Sequence, residues 1–496
     1  MTRVRRAIGA LALTVAVLVS GCTFDGTPPS ESPTPVERPF TVMTTDRVLT
    51  ADPAAVADNG SQLLVTNVFQ TLMTSDPGAS VLKPDAARDC IVEPAGTYRC
   101  TLNEDLRFHN GHLLDAAAVK FSIDRAMRLD VAGSSAGLLS SIRRVDTPDA
   151  RTVRFILSRE DTQIGWALAA PAAAIVDPAL YSPDRIQALD EPIVGSGPFG
   201  VSSVTDTELQ LARFPDYIGR NTAQLPALVV RTMPDSGSIE EAMANHVVEV
   251  VWRGLSAAAL TRFGMQLDQA DRTNDGFALT RLTGARVRML QWGSTSPRRS
   301  NAALRTAISG ALQDDRTLDS LVPVGVVGRT SAFAAGGTGH VAVSWDRRIA
   351  LTLGYDPTMP DGLDQANMVR TRLEIMGGVS VRLVEVDGAG TPATDLRLVD
   401  RKAWTWTAIA WLQPYLSQPA PRSAEQVQSL DAEFRRTTVE PTAVQLLARL
   451  QEAAAADAVV LPISQSDEQM FVAQGVRVSE TSYGPAYQLG LWGLTR

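Results

Sequence analysis

Histidine and cysteine are the scarcest reactive residues of this chain, four and three among 496. Three cysteines exclude a disulfide-dense scaffold, and four histidines leave little material for a histidine-rich metal site. A basic surplus is missing as well. Lysine and arginine number 46 against 54 aspartates and glutamates, a net charge of −8, where a nucleic-acid binder should carry a basic patch or stripe. No Gly-x-x-x-x-Gly-Lys-Ser/Thr loop and no His-Glu-x-x-His motif occurs, so nucleotide hydrolysis and zinc-peptidase chemistry have no visible apparatus. No enzyme, no cofactor and no metal site is expected. What is there is an ordinary folded composition, 45% apolar and 20% charged, on a chain long enough to need at least two lobes.

The first residues indicate the compartment. Arg3, Arg5 and Arg6 form a basic start, and Ala7 to Val19 is an apolar run of signal-peptide length, too short to span a bilayer comfortably. It ends Leu18-Val19-Ser20-Gly21-Cys22, which resembles a bacterial lipobox, with a plain signal peptide as the alternative. The expectation is a lipoprotein signal peptide over 1–21, cleavage before Cys22 and acylation of that cysteine. Residues 22–39 are rich in Pro, Ser and Thr and read as an extended tether, since such a segment cannot bury enough apolar area to offset its ordering entropy. The body would then lie at the extracytoplasmic face of the cell membrane, held by lipid. No later segment reads as a transmembrane span.

Cys90 and Cys100 flank the turn signal Pro94-Ala95-Gly96-Thr97. A hairpin there brings the two sulfurs together, and outside the cytoplasm such a pair oxidises; two free thiols are the alternative. Further along, strands alternate with helices. Leu114 to Met127 reads as a helix capped by Asp115, with Val119, Ile123 and Ala126 on one stripe. Asn301 caps a second helix, and Asp364 to Met376 a third, stopped by Gly377-Gly378. Strands over 349–355 and Val379 to Val386 flank that third helix in a βαβ unit, which implies a parallel sheet. Pro441 opens a late helix with Val444, Leu447, Leu450 and Ala454 inward, and a strand follows over Val459 to Ile463. The class is α/β without internal repeats.

Several blocks resemble, in order, the large extracellular solute-binding proteins of peptide, dipeptide and nickel ABC importers, family 5. Leu64 to Asp76 (LVTNVFQTLMTSD) is similar to the family's early strand-and-helix segment. Tyr98 to Met127, with Phe108-His109-Asn110-Gly111-His112, is the strongest block. Gly195-Ser196-Gly197-Pro198-Phe199, Leu211 to Gly219, and Ala303 to Asp314 also match family blocks. The resemblance implies a bilobal periplasmic-binding-protein-like fold of the large type II class, built of three subdomains with an interlobe cleft. The implied division is a lobe I core of 40–60, 190–284 and 466–496, an extra lobe I subdomain over 61–189, and lobe II over 285–465.

The function implied is capture of an oligopeptide or peptide-like solute by lobe closure and delivery to ABC permease subunits, by a monomer. The alternative is a non-transport envelope lipoprotein acting as a regulator or scaffold. Family peptide binders carry an aspartate for the peptide amine in a segment similar to Ala410 to Pro419, where this chain has Gln413-Pro414; free-amine peptides are therefore in doubt. An asparagine of the family in the strand opening lobe II is replaced by Trp292. Candidate ligand-binding residues on this resemblance are Trp292, Trp404, Trp406, Trp411, Gln413 and Tyr415, with Asn67 and Phe69 from the early block. Trp404 and Trp406 could instead alternate on a strand and fill core. The histidines at 109 and 112 read as structural, with a metal reading lacking a third ligand.

Overall fold

Capping side chains set the helix starts. In the computed structural model, which describes residues 38–93, 96–337, 345, 347–387 and 391–496, Asp115 Oδ1 accepts from the Ala118 amide at 3.0 Å and opens the helix Ala116–Leu129. Asn301 accepts from Leu304 N at 3.1 Å and opens Ala302–Ala311. The helix Gly362–Ile375 ends as expected on Gly377 and Gly378, at φ +88° and +67°, a conformation that costs glycine little. The late helix spans Glu440–Asp457 and buries Leu447, Leu450 and Ala454, but Val444, expected inward, is 41% exposed. Leu446 takes its place in the core. The segment expected to be a signal peptide, Cys22, the expected tether as far as residue 37, and the turn positions Pro94 and Ala95 lie outside the described residues.

A ten-stranded mixed sheet runs through the body. The βαβ unit forms its edge: Val379–Glu385 pairs parallel with Ile349–Tyr355, which pairs parallel with Leu396–Arg401. Two long antiparallel strands, Ala278–Trp292 and Val460–Val472, then carry the sheet across the molecule. On the far side come Val250–Trp252, Thr41–Thr44, Ala227–Thr232, Glu208–Arg213 and Phe199–Val204. The long pair breaks register between Leu282 and Arg286, beside Gly284 at φ +65°. Such a bulge bends a strand and sharpens its twist. The strand expected over Val459 to Ile463 is therefore only the first part of a longer one, whose polar continuation stays paired because its charges have partners described below.

A separate four-stranded antiparallel sheet holds Ala87–Glu93, Thr97–Leu102, Thr152–Leu157 and Ile142–Asp146. Cys90 lies directly opposite Cys100 on its first two strands, and the two form a disulfide. The helix Ala116–Leu129 packs Val119, Ile123 and Ala126 into the same apolar cluster as Phe155 and Val153. A second cluster surrounds the βαβ edge and includes Leu353, Val369, Leu373, Leu412 and Leu450. The two cores lie on either side of the register break.

Trp404 and Trp406 are not on a strand. The strand ends at Arg401, and Lys402 to Thr407 forms an irregular link into the helix Ala408–Leu416. Pro414 sits inside that helix and has no N–H to give to the carbonyl four residues back. The carbonyl of Ala410 accepts from Arg401 Nη2 instead, at 2.8 Å.

Candidate functional site

Residues from both parts of the sheet border a cavity of about 630 Å³, within the ~300–1,000 Å³ of small-solute sites. One wall comes from 46–62 and 130–137. The opposite wall comes from Gln291, Trp292, the strand Leu396–Arg401, Trp404 and the C-terminal part of the helix Ala408–Leu416. The walls touch at their margins. Asn59 Nδ2 donates to Asp400 O at 3.2 Å and Ala257 N to Asp361 Oδ2 at 2.8 Å. At another margin Arg435 Nη1 donates to Asp161 Oδ2 at 3.1 Å, and Thr162 N to Arg435 O at 2.7 Å.

The floor is ionic. Arg253, 2% exposed, sets Nε 2.7 Å from Asp46 Oδ2 and Nη2 2.9 Å from Asp400 Oδ2, while Nη1 donates to Glu468. Arg286 pairs with Asp400 at 2.6 Å. Lys402 pairs with Glu468 at 3.2 Å, donates to Tyr487 O at 3.1 Å, and stands 5.3 Å from the Trp252 ring centroid. Three acids and three bases share this buried patch. Burial pushes the Asp400 carboxyl up, but Arg286 and Arg253 outweigh it and hold it well below the usual carboxylate range. Burial also drives the Lys402 ammonium down, against Glu468. On the first wall, Asp58 caps its helix by accepting from Ser61 N at 2.8 Å, and burial pushes its pKa up to about 6.

Of the residues singled out in the sequence, Trp292, Trp404 and Gln413 border the cavity. Trp406, Trp411 and Tyr415 do not. Trp406 donates through Nε1 to Gly325 O at 3.3 Å and meets Trp411 edge-on at 6.0 Å. Trp411 is buried in the second core. Tyr415 donates to Asp457 Oδ2 at 2.8 Å beneath the helix. The helix explains this split: Gln413 and Pro414 face the cavity, whereas Trp411, Leu412 and Tyr415 face the core. Asn67 is fully buried, donating to Leu63 O and Leu489 O at 2.8 and 2.9 Å and accepting from Leu491 N at 2.7 Å. It ties the C-terminal segment to the helix Asn59–Val68. Phe69 packs in the core, edge-on to Tyr181.

The histidines take separate partners. His109 Nε2 lies 3.0 Å from Gly197 O, and its Nδ1 accepts from Gly195 N at 3.2 Å; burial lowers its pKa, so the ring is held neutral. His112 Nδ1 lies 2.7 Å from Asp177. Among the described residues no group of three or more His, Cys, Asp or Glu side chains is placed to hold a metal ion.

The charged lining (Asp46, Asp58, Arg253, Arg299, Asp400, Arg401 and Lys402) was not singled out in the sequence. One signal was present: Arg397 and Arg401 lie four residues apart on one face of the strand Leu396–Arg401, with Val399 between them.

The overall architecture defines the class, a periplasmic-binding-protein fold. The solved binding protein AgaA with agropinic acid, from A. tumefaciens R10, superposes with a TM-score of 0.79 at 19% identity, covering 92% of this chain and 98% of that one. DppA of Helicobacter pylori with the peptide STSA gives 0.77 at 18%, covering 92% and 97%; at these identities the likeness is one of fold. The glutathione-binding protein GsiB of Salmonella paratyphi A is 26% identical over 194 residues, 38% of this chain, and the chain spans 37% of that relative's length. The model of the bacterial extracellular solute-binding proteins, family 5, matches residues 81–366, more than half of the chain. The chain belongs to this family.

Proposed function

We propose that this protein is the extracytoplasmic receptor of an ABC importer, taking a peptide-like or other small solute into the cavity and passing it to permease subunits in the membrane. The observation that carries this reading is the cavity itself. It is bordered by both halves of a sheet whose long strands shift register twice and is closed at its margins by single hydrogen bonds and ion pairs. Such contacts are few enough to exchange for ligand contacts, so binding energy needs only to offset the cost of opening and closing. Family membership and relatives named for glutathione and peptide binding support a peptide-like solute.

The lobe boundaries at 284/285 and 465/466 belong to this proposal, supported by the position of the register break. So does the anchor: processing before Cys22 and a tether over 22–39 would hold the receptor beside its permease as a monomer. The scaffold alternative gains nothing from the family relationships. The test is direct. A bound solute should change the fluorescence of Trp292 and Trp404 and raise the melting temperature, by mass action on the folded form. A broad panel of peptides, glutathione, haem, nickel chelates and sugars that alters neither would refute the receptor reading.

A further inference from the structure

The acids bordering the cavity are largely committed. Asp46 and Asp400 pair with Arg253, and Asp356 and Asp387 accept from the amides of Thr358 and Thr391. Two arginines of the second wall are not matched in this way. Arg401 gives one hydrogen bond, to the carbonyl of Ala410. Its Nε is buried without an acceptor, and burial with no opposing acid lowers its pKa to about 10. Arg299 gives hydrogen bonds only to the carbonyls of Gln418 and Pro419, and its Nε is likewise without an acceptor. Trp292, 5% exposed at the same cavity, adds a buried indole N–H with no acceptor.

Among the described residues most other buried guanidinium groups are neutralised by an acid, although Arg305 gives its hydrogen bonds to the carbonyls of Asp457 and Arg299. Arg125 is paired with Asp52, and Arg435 with Asp161 and Asp431. Arg316, which has no acid partner, donates from Nε, Nη1 and Nη2 to Pro462, Ala334 and Ser309 and borders no part of the cavity. Supporting the Ala410 carbonyl above Pro414 explains one donor of Arg401 and does not require a charge. An unmatched, desolvated cation is costly, and a ligand anion would remove that cost through charge-assisted hydrogen bonds.

Resting on the receptor reading, we propose that the solute is an organic anion whose carboxylate is held by Arg401, with Arg299 and the Trp292 indole N–H as further donors on the same wall. The wall would thus select for negative charge, and a solute lacking an acid group would leave the arginines unpaired.

The experiment uses the full chain, extracted in mild detergent without refolding. Solute released on denaturation is identified by mass spectrometry, converted to its methyl ester, and acid and ester are rebound by calorimetry; N-acetyl-alanyl-alanine and its C-terminal amide are titrated alongside. The expected result is a captured acid whose ester binds about 30-fold more weakly. Arg401→Gln should weaken the acid by a similar factor while leaving the ester within about 3-fold, and Arg401→Lys should recover part of the loss. Arg299→Gln, which leaves the Ala410 carbonyl supported, should also weaken the acid selectively and covers the case in which Arg401→Gln does not fold. A captured solute without an acid group, or equal binding of acid and neutral forms, overturns this assignment and leaves the receptor reading standing. No captured solute, with no response to either titrated probe, sinks the assignment and counts against the receptor reading as well.

Discussion

The clasp between Asp161 and Arg435 makes the proposed opening of the cleft measurable without any ligand. Both side chains are nearly excluded from water, at 0% and 3% exposure, and their atoms meet at 3.1 Å. Asp431 stays 2.9 Å from Arg435 Nε on the same helix, so Asp161→Asn would not leave the guanidinium wholly unpaired. Removing one partner of a buried pair costs about 3–5 kcal/mol. With Asp431 retained and an amide in place of the carboxylate, about 2 kcal/mol is expected, or about 30-fold in the closed-to-open ratio. The reporter is the Thr162 amide, which donates to Arg435 O at 2.7 Å across the same contact. Its hydrogen exchange should quicken by that factor if the contact opens as a unit, with little change in the amides of Thr152–Leu157. Replacing both partners by apolar residues, Asp161→Leu with Arg435→Met, should recover most of the protection. Unchanged exchange at Thr162 in Asp161→Asn, or equal acceleration throughout the neighbouring sheet, would refute the reasoning and make the pair part of the fold alone.

Other consequences can be checked on the same protein. Replacing Cys90 and Cys100 by serine should lower the stability of the sheet they staple by about 3 kcal/mol on the chain-entropy model for a loop of this separation; an unchanged guanidinium midpoint would contradict it. Burial raises the folded-state pKa of Asp58 to about 6 from its ordinary 3.8, so its ionisation opposes folding. That penalty is absent below about pH 4, grows as pH rises to about 6, and is complete above. Asp58→Asn, which keeps the helix cap, should therefore be more stable than the parent at pH 7–8 by roughly 1–2 kcal/mol, allowing for partial solvation, and equal to it at pH 4; denaturant melts at the two pH values decide this. A Cβ on Gly195 would stand 2.0 Å from Val68 O, so Gly195→Ala should cost at least about 2 kcal/mol by forcing the turn off the helix end, and an undiminished melting temperature would show that the turn can shift.

Much of the local structure was legible because its causes are local. Asp115 and Asn301 cap helices through their own first turns, and Gly377-Gly378 ends a helix by backbone freedom. Cys90 and Cys100 face each other because a hairpin places them so. The site was less legible because its causes are not local. Trp406, Trp411 and Tyr415 have the chemistry of a solute wall, but only the packing of the helix Ala408–Leu416 turns them into the core and leaves Gln413 at the cavity. Asn67 looks polar enough for a ligand, yet it serves a C-terminal segment more than four hundred residues away. Arg253, Asp400 and Glu468 lie far apart in the chain and acquire meaning only when the long strands bring them together.

Those long strands carry a mechanical implication. Any swing of one half against the other must turn on Ala278–Trp292 and Val460–Val472, and at that pivot Arg253 grips Asp46 from one half, Asp400 from the other and Glu468 on the strand between. Wrenching the halves apart would strand buried charge, whereas bending about the guanidinium would not. Under the proposed lobe movement the fulcrum is itself an ion knot, which a rocking stroke about one axis would leave paired.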